Sequence, residues 1–285
     1  MRPNRLKHQA GRHALVDGIA FQLPVSSLRS PALMAAFSID ADKAAALLPG
    51  NELHPFRLWH RGLLVITVID YRETNIGKYI EYSIAIACTH GANPAPRLLP
   101  AVLMRTFGTG QYVFDLPVST EISVKGGKGI WGMPKHQANL DFLIGDDWIS
   151  SQYDLDGQLA MRIDVATPKQ AWLPVNTGAV NYCGFRGMLM ASYIYFKGKM
   201  GFKMGKNAAR LVIGDHPRLA VLKNLDISEN ALFAGFFPET SGVLDDHFEC
   251  WFLSADAPPR PPLQSFENGI YFEQKQKCLE PPQQS

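Results

Sequence analysis

What is scarce in this chain narrows it first. Four cysteines are spread over 285 residues, and Cys88, Cys183, Cys250 and Cys278 form no CxxC pair. That scatter excludes a disulfide framework and fits free thiols in a reducing compartment. No apolar run reaches the ~20 residues of a membrane-spanning helix, so no membrane partner is expected. The basic start, MRPNRLKHQAGRHALV, has no apolar stretch of the secretory kind. The cytoplasm is the expected location. Charge is sparse too: 19% of residues carry it, and the formal net charge is +2. So weak a bias gives nucleic acid or an acidic surface little to hold.

Familiar catalytic signatures are also missing. There is no GxSxG elbow and no HExxH pair. His54 and His60 flank an apolar loop without metal-ligand spacing, so they read as ordinary structural or surface residues, and no metal is expected. The basic stretch 197–210, KGKMGFKMGKNAAR, departs from the phosphate-loop pattern. It reads as a solvated loop or an anion contact at a subunit interface. Residues 127–132, GKGIWG, match GxGxxG by letter. The dinucleotide fingerprint needs a helix opening there, and Met133-Pro134 followed by a strand-like run supplies none. Carboxylates are numerous, but nothing marks two of them as a glycosidase pair.

What is present is apolar sequence, 46% of the chain, enough for a sizeable core. Residues 31–39 read as a strand, and Asp40 caps a helix over 41–48 that Pro49-Gly50 ends. Residues 62–72 and 79–89 read as a hairpin. Alternation in the second run puts Tyr79, Glu81, Ser83 and Ala85 on one face and Ile80, Tyr82, Ile84 and Ile86 on the other. Glu81 thus sits in mid-strand, where a buried carboxylate is costly unless paired or functional.

Further strands are expected at 111–118, 137–144, 148–153 and 159–165, with a tight turn at 154–157. Period alone leaves helix or strand open for 101–107, 184–196 and 217–225. Two more strands are expected near 231–237 and 247–253. The whole reads as an α+β fold, mostly antiparallel β, closing into a barrel or cone with a few peripheral helices. An extended N-terminal arm over 1–30 and a Pro/Gln-rich surface tail over 255–285 flank a single domain, 31–254.

The chain's centre is the stretch 121–138, EISVKGGKGIWGMPKHQA. It reads as a three-glycine turn narrowing onto Trp131-Gly132-Met133-Pro134-Lys135-His136. Proline and glycine together fix the approach to Lys135. A lysine held beside an indole and a methionine can be kept from water. Its ammonium is then disfavoured and its amine is free to attack a carbonyl. Taken by itself, a lysine in a Gly/Pro-rich turn is most often a solvated surface residue.

Taken together, FSIDADKAAALLPG, YIEYS and WGMPK resemble the acetoacetate decarboxylase family over roughly the middle half of the chain. WGMPK looks like that family's aromatic-Gly-aromatic-Pro-Lys signature, with Met133 in place of the second aromatic. The resemblance implies a cone-shaped, mostly antiparallel β-barrel whose hollow holds a lysine that condenses with a keto acid. Lys135 would be that amine and Glu81 an active-site carboxylate. Trp131 and Met133 would border the substrate, and Glu121 would serve the same pocket or pair with Lys125 or Lys128. His136 stands where the family carries a second lysine. The family's arginine for the substrate carboxylate falls near position 30, and Arg29 is one residue away. The apolar run Leu64-Val65-Ile66 replaces an expected acidic residue.

The resemblance implies a Schiff-base lyase that decarboxylates a β-keto acid through a lysine iminium and enamine. It would work without cofactor, as a homo-oligomer. The same amine would equally support an aldolase or dehydratase. Without turnover, the barrel would bind a keto acid or hydrophobic ligand.

Overall fold

Alternation decides how the layers meet. In Arg61–Tyr71, Leu64, Ile66 and Val68 are fully buried, while Leu63, Val65, Thr67 and Ile69 between them stay partly open. A strand with this period needs a tightly packed layer on one face only. The computed structural model describes residues 11–254, and within them two sheets meet on that dry face.

The chain opens with a hairpin, β1 (Arg12–Val16) and β2 (Ile19–Leu23), followed by the long β3 (Val25–Asp40). After α1 (Ala41–Ala45) come β4 (Leu53–Pro55), β5 (Arg61–Tyr71), β6 (Glu73–Thr74) and β7 (Tyr79–His90). Then follow α2 (Leu99–Val102), β8 (Gly110–Val118), α3 (Glu121–Trp131) and β9 (Lys135–Gln137). Short β10 (Asn139–Leu140) and β11 (Leu143–Ile144) lead into the hairpin β12 (Trp148–Leu155) and β13 (Gln158–Ala166). Last come β14 (Leu173–Phe185), β15 (Met188–Lys203), β16 (Ala209–Ile213), a 3₁₀ helix (Pro217–Leu225) and β17 (Phe233–Phe252).

Seven strands form a closed ring in the order β7-β5-β3-β17-β15-β14-β8, and β8 pairs back with β7. Only the β14–β8 contact within the ring is parallel. This is the mostly antiparallel barrel with few helices that the sequence predicts. A second sheet, β10-β12-β13-β16 with β11 beside β12, covers one side. Its Ile149, Tyr153 and Ile163 join Leu33, Phe37, Leu64, Ile66 and Ile84 in the main core. No helix among the described residues is long and apolar enough to cross a membrane.

Several expected boundaries move. The region expected as an extended arm is folded from residue 11 onward, as the β1–β2 hairpin and the first part of β3. The helix expected over 41–48 is α1, shortened to one turn, with Asp40 accepting from the Asp42 and Lys43 amides as expected of a cap. The basic stretch 197–210 is a loop only over 204–208: its first half is the end of β15, and β16 begins at Ala209. The two last expected strands are one, β17. The tail expected over 255–285 lies outside the described residues.

The main correction concerns the three glycines. Residues 125–129 do not form a turn; they lie inside α3. Glycine costs a helix interior roughly 1 kcal/mol against alanine, and here close approach is the compensation. A β-carbon on Gly126 would fall 2.8 Å from Phe21, and one on Gly129 would fall 2.4 Å from Val16. The β1–β2 hairpin therefore lies directly on the backbone of α3. Asn75 ties that hairpin down by donating to the carbonyls of Gln22 and Pro24.

Gly129→Ala tests this packing. Helix propensity alone predicts stabilisation, whereas the contact with Val16 predicts an overpacking cost of about 1–3 kcal/mol. The expected result is a lower urea midpoint for Gly129→Ala, recovered in part by Val16→Ala in the same chain.

Candidate active site

The lysine is delivered by the way α3 ends. Gly132 adopts φ +66°, the left-handed conformation that closes helices, and Met133 N–H donates to Gly127 O at 3.1 Å. Pro134 cannot continue a helix. The chain turns into β9, which runs parallel to β8 with Lys135 beside Leu116 and His136 beside Pro117.

A bulge in β8 then decides which residues share a face. Ile84 pairs with Asp115, but Ala85 pairs with Val113, so β8 carries one extra residue. Beyond it, Val118 lies opposite Glu81, and Leu116, two residues back, shares that face. Asp115 points the other way, toward the second sheet. Lys135 follows Leu116, and His136 follows Asp115.

The Lys135 side chain runs across α3 where Gly127 leaves room: a β-carbon there would fall 2.3 Å from its Cδ. Its Nζ reaches Glu81 Oε2 at 2.6 Å and donates to Ser123 Oγ at 3.0 Å. The lysine side chain is 4% exposed and that of Glu81 15%. Tyr79 offers its ring face 5.4 Å from Nζ and stacks on Tyr71, its cross-strand partner, at 4.6 Å. Burial first, and the Glu81 charge second, push both phenols well above their usual range, so each keeps its proton at neutral pH.

This arrangement can supply a nucleophile and a base. An ammonium must lose a proton before it attacks a carbonyl, and the Glu81 carboxylate is in direct contact with it. Among the described residues no group of three or more His, Cys, Asp or Glu side chains could hold a metal ion.

The other predicted site residues fall elsewhere. Arg29 is a surface residue, its side chain 67% exposed and ion-paired with Glu73. Glu121 pairs with Lys125 at 2.9 Å along the exposed side of α3, the alternative open to it in the sequence. Trp131 and Met133 are buried with Leu23, Val25, Val113 and Met190, and the Trp131 indole donates to Asp245 O at 2.7 Å. They brace the segment that carries the lysine.

His136 is on the opposite face from the amine, because neighbours on a strand alternate. There its Nε2 lies 2.9 Å from the Tyr153 hydroxyl, which donates to Asp115, and Arg218 makes an ion pair with Asp115 at 2.8 Å. Burial lowers the His136 pKa, against the pull of Asp115, and its buried Nδ1 has no hydrogen-bond partner.

Sequence reasoning places Tyr79 on Glu81's face without assigning it a role. It misses Ser123 because the glycines hide the helix, and Asp115 and Arg218 because 103 residues separate them.

The sequence profile described as acetoacetate decarboxylase (ADC) matches residues 11–182. No curated protein matches the chain. Solved structures do. The acetoacetate decarboxylase of Legionella pneumophila subsp. pneumophila str. Philadelphia 1 superposes with a TM-score of 0.57 at 14% identity, over 78% of this chain and 85% of that one. The enduracididine biosynthesis enzyme MppR complexed with pyruvate gives 0.57 at 13%, over 82% and 92%. An acetoacetate decarboxylase-like enzyme from Sphingomonas wittichii RW1 gives 0.55 at 13%, over 82% and 95%. At such identities these likenesses establish the fold.

Two measurements follow. Gly127→Ala should displace the Lys135 stem and lower any reaction at that amine roughly tenfold or more, while the chain still unfolds cooperatively. His136 holds protons less tightly folded than unfolded, so protonation favours unfolding. Its stabilisation is whole above about pH 6.5 and drains as pH falls below that value. Thermal midpoints of His136→Gln should fall less steeply between pH 7 and 5 than those of the parent. His90, also lowered by burial, leaves part of the slope in place.

Proposed function

The chain belongs to the acetoacetate decarboxylase family, and from that premise we propose that it is an enzyme, a Schiff-base-forming lyase that decarboxylates a β-keto acid on Lys135. The observation that carries this reading is the nearly dry Lys135 nitrogen, 2.6 Å from the Glu81 carboxylate and 3.0 Å from the Ser123 hydroxyl. Glu81 takes a proton from the ammonium, and the free amine adds to the ketone carbon. Water leaves the carbinolamine to give an iminium. The bond to the carboxylate then breaks, its electrons pass into the iminium, carbon dioxide departs and an enamine remains. A proton returns to carbon, and hydrolysis releases the product ketone.

The reading has the protein working on a small or medium keto acid in the cytoplasm, as a homo-oligomer, without metal or cofactor. One observation favours a second reading. Arg29, the expected anchor for a substrate carboxylate, is occupied by Glu73 at the surface. An imine used for aldol condensation or dehydration needs no carboxylate held at the bond that breaks. Binding without turnover would need no such anchor either.

Protein incubated with acetoacetate or pyruvate and borohydride should gain the mass of one reduced adduct, mapping to Lys135. Lys135→Ala should gain none, and Glu81→Gln should label roughly 10²-fold more slowly, the usual range for loss of a positioned base. Release of carbon dioxide from acetoacetate separates decarboxylation from condensation. No labelling with several keto acids would leave ligand binding as the better account.

A further inference from the structure

Three groups meet the Lys135 nitrogen, and they come from two elements. Glu81 and Tyr79, two apart on β7, present a carboxylate oxygen at 2.6 Å and a ring face at 5.4 Å to its centroid. Ser123 of α3 presents its hydroxyl oxygen at 3.0 Å. An ammonium has three N–H bonds and no lone pair, so the neighbours match the bonds in number. The serine contact is built into the helix. Ser123 and Gly127 are four apart and share a face of α3. A β-carbon on Gly127 would fall 2.8 Å from Lys135 Cε and 3.0 Å from its Cγ. The stem therefore crosses the helix at Gly127, and the nitrogen arrives one turn earlier, at a serine that is fully buried.

Loss of a proton to Glu81 leaves the lone pair on the Glu81 side, and a substrate carbonyl carbon has to meet the nitrogen there. The iminium nitrogen that follows is planar, with bonds to Cε, to the substrate carbon and to one hydrogen. Serine oxygen offers a lone pair, and its bond to a charged N–H is stronger than the attraction of a ring face. With that hydrogen on Ser123, the C=N plane is set by Cε, Nζ and Ser123 Oγ. A bond on the neighbouring carbon breaks only when it stands across that plane, where its electrons overlap the C=N π system.

We propose that Ser123 is a positioning residue: it accepts the iminium N–H, stops rotation about the Lys135 Cε–Nζ bond and so presents one face of the substrate to Glu81. This rests on the Schiff-base reading and adds its stereochemistry. The proton taken up by Glu81 leaves with the carbinolamine hydroxyl as water, which returns Glu81 to carboxylate. The carboxylate then takes a proton from the carbon next to the iminium carbon. The C–H electrons become the C=C bond of an enamine, and the C=N π pair becomes the nitrogen lone pair. In reverse, Glu81 gives a proton to the same face of that carbon.

2-Oxobutanoate is the probe, because its C3 carries two hydrogens that single-face chemistry tells apart. In deuterium oxide the parent protein should exchange one of them and stop, read as a single deuterium at C3 by mass spectrometry and proton NMR. Ser123→Ala removes only a hydroxyl, inside a helix where alanine is favoured. It should still be trapped by borohydride as a 2-oxobutanoate adduct on Lys135. Its initial exchange should slow roughly tenfold, the loss of one hydrogen bond to a charged group, and should run on to two deuteriums. Ser123→Cys keeps the side chain's shape with a weak acceptor and should do the same.

A product that stops at a single deuterium in either variant overturns the proposal, and so does a parent that incorporates two. Loss of borohydride trapping in both variants places Ser123 at amine attack and not at the iminium, which also overturns it. A parent trapped on Lys135 that exchanges nothing removes the positioning role and leaves the Schiff base standing. A parent that none of 2-oxobutanoate, pyruvate and acetoacetate labels removes the reading beneath it.

Discussion

A lysine nitrogen and a glutamate oxygen 2.6 Å apart, almost sealed from water, are the constraint around which this end of the barrel is arranged. Taking both groups out of water costs several kcal/mol per ion unless each finds compensation. The compensation is local. The amine has Glu81, Ser123 and the face of Tyr79, and the carboxylate has the amine. None of these partners is spare, so the polar cluster is both the cost and the remedy. A pair that is only structural could be replaced by apolar residues with little loss.

Geometry reaches that constraint by subtraction. Gly127 removes a β-carbon where the lysine stem must pass, and Gly126 and Gly129 do the same for the hairpin that closes the other side of α3. One extra residue in β8 turns Asp115 toward the second sheet and Val118 toward Glu81. The strand after it inherits the division. Lys135 enters the site, while His136 joins Tyr153, Asp115 and Arg218 in a separate buried network that pins β9 from behind. Two adjacent residues thus serve different environments for no other reason than the pleat.

Legibility in the sequence follows the same line. Strand alternation exposed the hairpin of β5 and β7 and put Tyr79 beside Glu81, because a period of two is visible in a few residues. The ring closure and second sheet depend on partners far apart in sequence, which no local pattern carries. Helix α3 was hidden because three glycines argue locally for a turn, and only their tertiary contacts explain them. That error concealed Ser123. Arg29 was misplaced by resemblance, since a left-handed residue at φ +48° in β3 shifts the register just there.

The central claim is that the Lys135 nitrogen becomes bonded to the carbon of a keto acid. A crystal of this protein soaked with pyruvate tests it most directly. The account predicts continuous density between Nζ of Lys135 and C2 of the ligand, with the Glu81 carboxylate released from its ion pair. Ligand bound elsewhere, with the Lys135–Glu81 pair intact, would contradict it.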